Sequence, residues 1–441
     1  MNINFYKKSI VLSALLFVSA LVSNVNAQWQ KIKYQNAAYA GYVTKSGNLL
    51  LSDFMFDGSG GIYVSLDGGA TWTMTDAEDH AYNKFYAFGD YIFAIGTNAV
   101  VARSADEGLT WEMVSYRDAA SEVIDEGTID YTVAYAMTEY DGKLFIGDFN
   151  GAGVMYSEDY GKTWKRTDIE SMRYTVEDNG NVYTYAENIY QLVSYNGKLY
   201  AFGVFYVFEY DDAANDWKVM RDDSNFMAVS TIFDGSLYCG RSCPNDEPEA
   251  PFLEMTSDFV SWTMIKCPSD IMSKNVRVLT SDDKMIYAAT QDRGAFAYDV
   301  ANDEWYNISD GYPELFPDDE NLKGLYHAPT QMFTDDQYLY MVLYDFDGSP
   351  SEAAGLYRYP KEEILQRTAI ADVKAEADFV LSDGYLLLPG MNDAVVNIYD
   401  ISGGKVMDAR GAKVCVGSLG NGIYLFDAVR GDTTVRGRFV I

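Results

Sequence analysis

Short stretches in which apolar and polar residues alternate recur along most of the chain, each opened by a polar turn. They read SGNLLLS at 46–52, GDYIFAIG at 89–96, DGKLFIG at 141–147, NGKLYAFG at 196–203, DGSLYCG at 234–240, DDKMIYAA at 282–289 and DDQYLYMV at 335–342. A period of two sends successive side chains to opposite faces and predicts β-strands, and the Asn, Asp and Gly between the stretches predict tight turns.

A second pattern, S-x-D-x-G-x-T-W, follows these strands three times. Its copies are Ser65, Asp67, Gly69, Thr71 and Trp72; Ser104, Asp106, Gly108, Thr110 and Trp111; and Ser157, Asp159, Gly161, Thr163 and Trp164. Each copy lies between two β-prone runs and predicts a hairpin. The Asp bonds its own backbone, the Gly supplies a positive φ, and the Trp begins the outgoing strand and covers the turn. Weaker copies at 212–217, 257–262 and 302–305 keep the turn polarity and end on Trp217, Trp262 and Trp305. The seven Trp, at 29, 72, 111, 164, 217, 262 and 305, step by a mean of 46 residues. That period, with four short strands per step, predicts an all-β, seven-bladed β-propeller over 28–360. The seventh unit ends at GLYRYP (355–360) without a Trp strand, and Gln28-Trp29-Gln30-Lys31-Ile32 reads as the missing outer strand. Residues 28–33 are therefore expected to close the ring against the last blade, where an open sheet edge would invite aggregation.

The three intact copies resemble the Asp-box, or bacterial neuraminidase, repeat of sialidases, some xyloglucan hydrolases, sortilin-type receptors and a photosystem assembly factor. The resemblance spans about 28–360 and implies that these residues hold turns at the blade periphery and bind nothing.

The two ends of the chain read differently. Residues 1–27 carry Lys7 and Lys8, an apolar run IVLSALLFVSALV and the small-residue end VNA, the pattern of a secretory signal peptide cleaved after Ala27. No later stretch is apolar enough to span a bilayer. Residues 361–374 have no aromatic residue and read as a linker with a helical turn, and short strands with Gly and Asn-Gly turns over 375–441 predict a small Ig-like β-sandwich. Within it Val396, Ile398, Tyr399, Asp400, Gly403, Lys405 and Val406, then Leu419, Gly422, Ile423, Tyr424 and Leu425, and the closing Arg438-Phe439-Val440-Ile441 resemble the C-terminal sorting domain of the type IX (Por) secretion system of Bacteroidetes. That resemblance implies export across both membranes, with the type IX machinery as partner, to a secreted or cell-surface location.

Composition narrows the function. With 65 acidic and 33 basic side chains the formal net charge is −32, nearly all of it in 28–360, which argues against nucleic acid and anionic lipid as partners. Two histidines, His80 and His327, leave no His-rich metal site. Calcium has a weak candidate in Asp345-Phe346-Asp347-Gly348-Ser349, half of a calcium-loop pattern, so no metal or cofactor is expected. Export permits disulfides, and Cys239, Cys243 and Cys267 lie close enough in sequence for one bridge of undecided pairing, with Cys415 left free.

Catalytic chemistry has no sharp signal. A sialidase site needs three converging arginines, a Tyr nucleophile with its Glu, and an Asp, yet no Arg precedes Arg103 and the family's Phe-Arg-Ile-Pro motif is missing; Arg173, Tyr174 and Glu177 are the nearest match. Other glycosidases need two facing carboxylates, for which Asp125, Glu126 and Asp130, or Asp318, Asp319 and Glu320, are candidates without distinguishing spacing. No catalytic residue is assigned. Ligand contacts are expected from aromatics in the longer inter-blade segments: Tyr174, Tyr183, Tyr185 and Tyr190 in 167–194, and Tyr306, Tyr312, Phe316 and Tyr326 beside His327 in 306–334. The leading expectation is a non-catalytic surface or secreted protein that binds a glycan or an extracellular protein; the alternative is a glycoside hydrolase acting on complex carbohydrate.

Overall fold

The computed structural model describes residues 28–32, 34, 38–54, 60–122, 124, 130, 132–178, 180–222, 229–241, 252–266, 275–319, 324–344, 352–365, 379–382, 384–388, 390–400, 404–420, 422–431 and 433–441. The proposed signal peptide, the Asp345–Ser349 segment, Cys243 and Cys267 lie outside the described residues.

The chain is nearly all-β, and most of its strands fall into four-stranded antiparallel meanders. In the first sheet Ala38–Val43, Leu49–Phe54, Gly60–Ser65 and Thr73–Glu78 run side by side in chain order, so Leu51 lies between Gly41 and Tyr63. Five more sheets repeat this order, and their first strands are Tyr82–Phe88, Ala134–Tyr140, Gln191–Tyr195, Val229–Phe233 and Val276–Ser281. A seventh sheet begins with Pro329–Thr334, continues through Tyr338–Leu343 and Gly355–Pro360, and takes Gln30–Ile32 as its outermost strand, with Gln30 opposite Arg358 and Ile32 opposite Leu356.

The first strands of successive sheets lie against one another, the fourth and fifth joined through the Gln191–Ser230 hydrogen bond, and that of the seventh returns to that of the first. Gln191 Nε2 donates to Ser230 Oγ at 2.6 Å between the fourth and fifth sheets, and Thr330 Oγ1 donates to the Tyr39 carbonyl at 2.6 Å between the seventh and first. The apolar faces pack between neighbours. Leu50 and Ile62 of the first sheet meet Phe85, Ile92 and Ala94 of the second, and Phe93 and Val101 of the second meet Ile146 and Met155 of the third. Second strands such as Tyr91–Gly96 are buried on both faces, which is why their alternation is overlaid by near-continuous apolar character.

Trp29 anchors the added strand. It is 3% exposed, its indole N–H donates to the Ile308 carbonyl at 2.7 Å, and its ring meets the edges of Tyr359 and Tyr312 at 5.5 and 6.2 Å. Downstream of the seventh sheet, residues 361–365 form a helical turn. The C-terminal strands make two sheets around one core. Val380–Ser382, Tyr385–Leu387 and Lys413–Cys415 form one; Lys405–Arg410, Val395–Asp400, Ile423–Arg430 and Thr433–Val440 form the other. Leu386, Val396, Ile398, Val414, Phe426 and Phe439 fill the space between them. Cys239 is buried on its strand, and Cys415 is an exposed free thiol.

Candidate functional site

A channel of about 300 Å³ runs where the first strands converge, and every one of the seven sheets contributes to its wall. The strands reach it through a shared irregularity. In five first strands the ladder skips one residue, and the residue skipped is Tyr39, Asn83, Tyr135, Arg277 or Thr330. All five line the channel. A β-bulge adds an unpaired residue and re-aims its side chain, so the same device is used five times to turn side chains toward the centre.

The wall is rich in phenols and amides. Tyr39, Tyr86, Tyr135 and Tyr190 face it with Gln191, Ser230, Thr330 and Gln331. Tyr135 and Tyr190 meet edge to face at 5.7 Å, and Phe149 closes that group at 5.2 and 5.1 Å from them. Burial pushes the Tyr190 hydroxyl up to about 12, with Tyr135 adding to the shift and the Arg277 charge opposing it. Burial likewise raises Tyr39 and Tyr86, so all three phenols are neutral donors at physiological pH.

Its charge runs against the rest of the chain. Among the described residues that line the channel, the charged side chains are Lys84 and Arg277, and none is a carboxylate. Lys84 Nζ stands 5.6 Å over the Tyr135 ring, and burial pulls its amine down to about 8. Asn83 is 4% exposed; its Nδ2 donates to the Ala134 carbonyl at 2.9 Å while its Oδ1 has no partner. The Oε1 of Gln191 is buried without a partner as well.

The S-x-D-x-G-x-T-W turns lie elsewhere, on the hairpins of the third and fourth strands. In each, Ser Oγ donates to Asp Oδ1 at 2.8 Å and accepts the Gly N–H, while the Thr N–H and hydroxyl donate to the two Asp oxygens. The Thr71 hydroxyl and N–H, with the Ser65 hydroxyl, hold the Asp67 carboxyl down to about 2. In Asp159, burial raises the value but the Thr163 and Ser157 donors outweigh it and leave it near 2. Gly69 and Gly108 need their positive φ of 92° and 82°, and a Cβ there would also strike Ile32 Cγ2 at 2.4 Å or Leu50 Cδ2 at 2.5 Å of the preceding sheet. The Trp72 and Trp111 indoles donate to the Gly69 and Gly108 carbonyls at 3.2 and 3.1 Å. The Trp164 indole N–H is buried without a partner. The weaker copy at 257–262 folds into a fourth turn of this kind, with Thr256, Asp258 and Phe259 in the Ser, Asp and Gly-side roles and Phe259 at φ 62°.

Of the aromatics expected to contact ligand, Tyr190 lines the channel. Tyr174 stands on a separate hairpin, Arg173–Asp178 with Asn181–Ala186, and meets Phe205 edge to face at 5.6 Å. Tyr183 and Tyr185 lie on the second strand of that hairpin, and their side chains lie outside the described set. Tyr312 is a core residue: 4% exposed, packed on Trp29, with its hydroxyl donating to the His327 carbonyl at 2.8 Å. Tyr326 is half-buried against Tyr312 at 5.2 Å. Among the carboxylates, Asp130 pairs with Arg117 at 2.7 Å, Arg173 pairs with Glu170 at 3.3 Å, Asp318 and Asp319 are exposed, and Asp125, Glu126 and Glu320 lie outside the described residues. No group of three or more His, Cys, Asp or Glu among the described residues could hold a metal, and none of their helices is long and apolar enough to cross a membrane. Sequence reasoning missed Tyr39, Lys84, Tyr135 and Arg277. The available signal was their common place in the strand preceding each polar turn.

No protein-family model matches the chain, and no curated protein sequence does. Solved structures do. YCF48 from Cyanidioschyzon merolae is 13% identical with a TM-score of 0.50 over 76% of this chain and 100% of that one. The extracellular domains of two putative hybrid two-component systems of B. thetaiotaomicron, BT3049 and BT4673, are 11% and 12% identical with TM-scores of 0.53 and 0.50, over 95% and 84% of this chain. The chain spans 58% and 45% of those two domains. At this identity the likeness shows the fold, a β-propeller.

Proposed function

We propose that the chain is an exported, seven-bladed β-propeller whose central channel binds a glycan without catalysis. In this reading the seven meanders are the blades, Gln30–Ile32 closes the ring, and the S-x-D-x-G-x-T-W turns are Asp-boxes that hold the periphery. Residues 1–27 are a signal peptide, and the two C-terminal sheets are an Ig-like type IX sorting domain that delivers the protein to the outside or the cell surface.

The observation that carries the binding reading is the channel wall. Phenols offer faces for sugar rings, amides and hydroxyls offer hydrogen bonds, and about 300 Å³ lies at the small end of ligand pockets. Glycoside hydrolysis uses two facing carboxylates, and the described residues of this wall present none. The test is a glycan array probed with the purified protein, with released sugar measured on the same panel. Saturable binding without release, lost in Tyr135→Ala, supports the reading. Released sugar makes the protein a hydrolase, and binding only to protein partners removes the glycan.

A further inference from the structure

The channel holds two cations that no carboxylate among the described residues answers, and two amide oxygens buried in its wall have no donor among those residues. Lys84 is surrounded by strands and stands over Tyr135, and among the described residues no carboxylate pairs with it. Arg277, turned inward by the bulge of the sixth sheet, is exposed, and no described carboxylate pairs with it either. Its charge acts on the phenols of Tyr39 and Tyr190, while Lys84 sits on Tyr135, the ring that touches Tyr190 at 5.7 Å. The two cations thus address one cluster of rings.

The acceptors are oriented. Asn83 Nδ2 is committed to the Ala134 carbonyl and Gln191 Nε2 to Ser230 Oγ, which leaves Asn83 Oδ1 and Gln191 Oε1 as the free ends of both amides. A buried cation without a counter-ion and a buried carbonyl without a donor each cost free energy in the empty protein. A ligand that supplies an anion relieves the first of these costs.

We propose that the channel takes a saccharide bearing an anionic group, with that group between Lys84 and Arg277 and its ring against Tyr135 and Tyr190. This rests on the channel-binding reading and deepens it by naming the ligand class. A neutral sugar leaves Lys84 uncompensated, and a small inorganic anion leaves the Tyr135 and Tyr190 rings uncovered. The chain's net charge of −32 repels anions at long range, so their selection depends on these two local cations. The channel volume of about 300 Å³ suits one sugar ring, a free monosaccharide or the terminal residue of a chain.

The experiment is calorimetric titration of the purified protein with glucuronate, glucose 6-sulfate and glucose, repeated on Arg277→Gln, Lys84→Met and, as a control for net charge, Arg117→Gln. At least one anionic probe binds tenfold or more tighter than glucose, about 1.4 kcal/mol, because the contact it gains is charged. Arg277→Gln, with its melting temperature kept, and Lys84→Met, with its melting temperature kept or raised, each erase most of that preference, and Arg117→Gln leaves it intact. The probe that wins distinguishes a carboxylate from a sulfate ester. Equal affinity for all three sugars, or a preference that survives Arg277→Gln, overturns the anionic class while the glycan-binding reading stands. If none of the three binds but the array finds another glycan, the class falls in the same way.

Discussion

The rim turns and the central channel are built from similar polar residues and settle them in opposite ways. At the rim, Ser104, Asp106 and Thr110 answer one another: each oxygen of the carboxylate has a donor, and the Ser hydroxyl both gives and receives. In the channel, among the described residues, no carboxylate pairs with Lys84, and Asn83 and Gln191 each keep a side-chain oxygen with no donor. The contrast separates two tasks. A closed hydrogen-bond set stabilises a turn and offers nothing to a ligand, whereas open valences reduce stability and are available for recognition.

Substitutions can break this division, and the largest effect belongs to the periphery. Trp29→Ala empties a buried site between two aromatic partners and removes the bond to Ile308, and should lower stability by roughly 3–5 kcal/mol in denaturant titration. A loss under about 1 kcal/mol would mean that the added strand does not hold the ring.

The next effect is on pH dependence, behind the channel. Asp148 is fully buried, accepts from Tyr116 Oη at 3.0 Å and from Asn150 N at 2.8 Å, and burial raises its carboxyl to about 6. For an acid raised in the folded state, the favourable contribution is present below the unfolded value near 3.8 and is lost as pH rises through about 6. Asp148→Asn should therefore remove a decline of about 3 kcal/mol between pH 4 and 7 in wild-type stability profiles.

Smaller changes probe single turns and single charges. Asp106→Ala strips the donors of Ser104 and Thr110 of their acceptor and should cost about 1–2 kcal/mol while leaving ligand affinity unchanged. Lys84→Met should do the reverse, raising the melting temperature by the equivalent of about 1 kcal/mol while weakening binding. The finest comparison is within the rim. Trp111→Phe loses the bond to the Gly108 carbonyl and should cost about 1 kcal/mol, whereas Trp164→Phe removes an indole N–H that has no partner and should be neutral or slightly stabilising.

Legibility in the amino-acid sequence divides along the same line. The rim turns are legible because their chemistry is local: Thr71 lies four positions after Asp67, and a polar-turn alphabet repeated near every 46 residues exposes the meanders. The channel is not legible, because its wall assembles residues from seven strands far apart in the chain. Tyr312 illustrates the difficulty: an aromatic in a long segment beside a histidine reads like a ligand contact, yet it serves as a packing partner of Trp29 from the other end of the ring. Tyr135 and Arg277 escape notice because an alternating strand does not announce where its ladder will skip a residue.

The pairing of Gln30–Ile32 with Gly355–Pro360 also has a consequence in time. Gln30–Ile32 cannot find its place until Gly355–Pro360 has been synthesised, more than three hundred residues later. Contacts that span so much chain close slowly, because the entropy of the loop must be overcome before the contact stabilises anything. Until then the seventh sheet lacks its outer strand and the last of its apolar seam stays open. The seventh sheet is therefore the last of the seven to be completed as the chain is made.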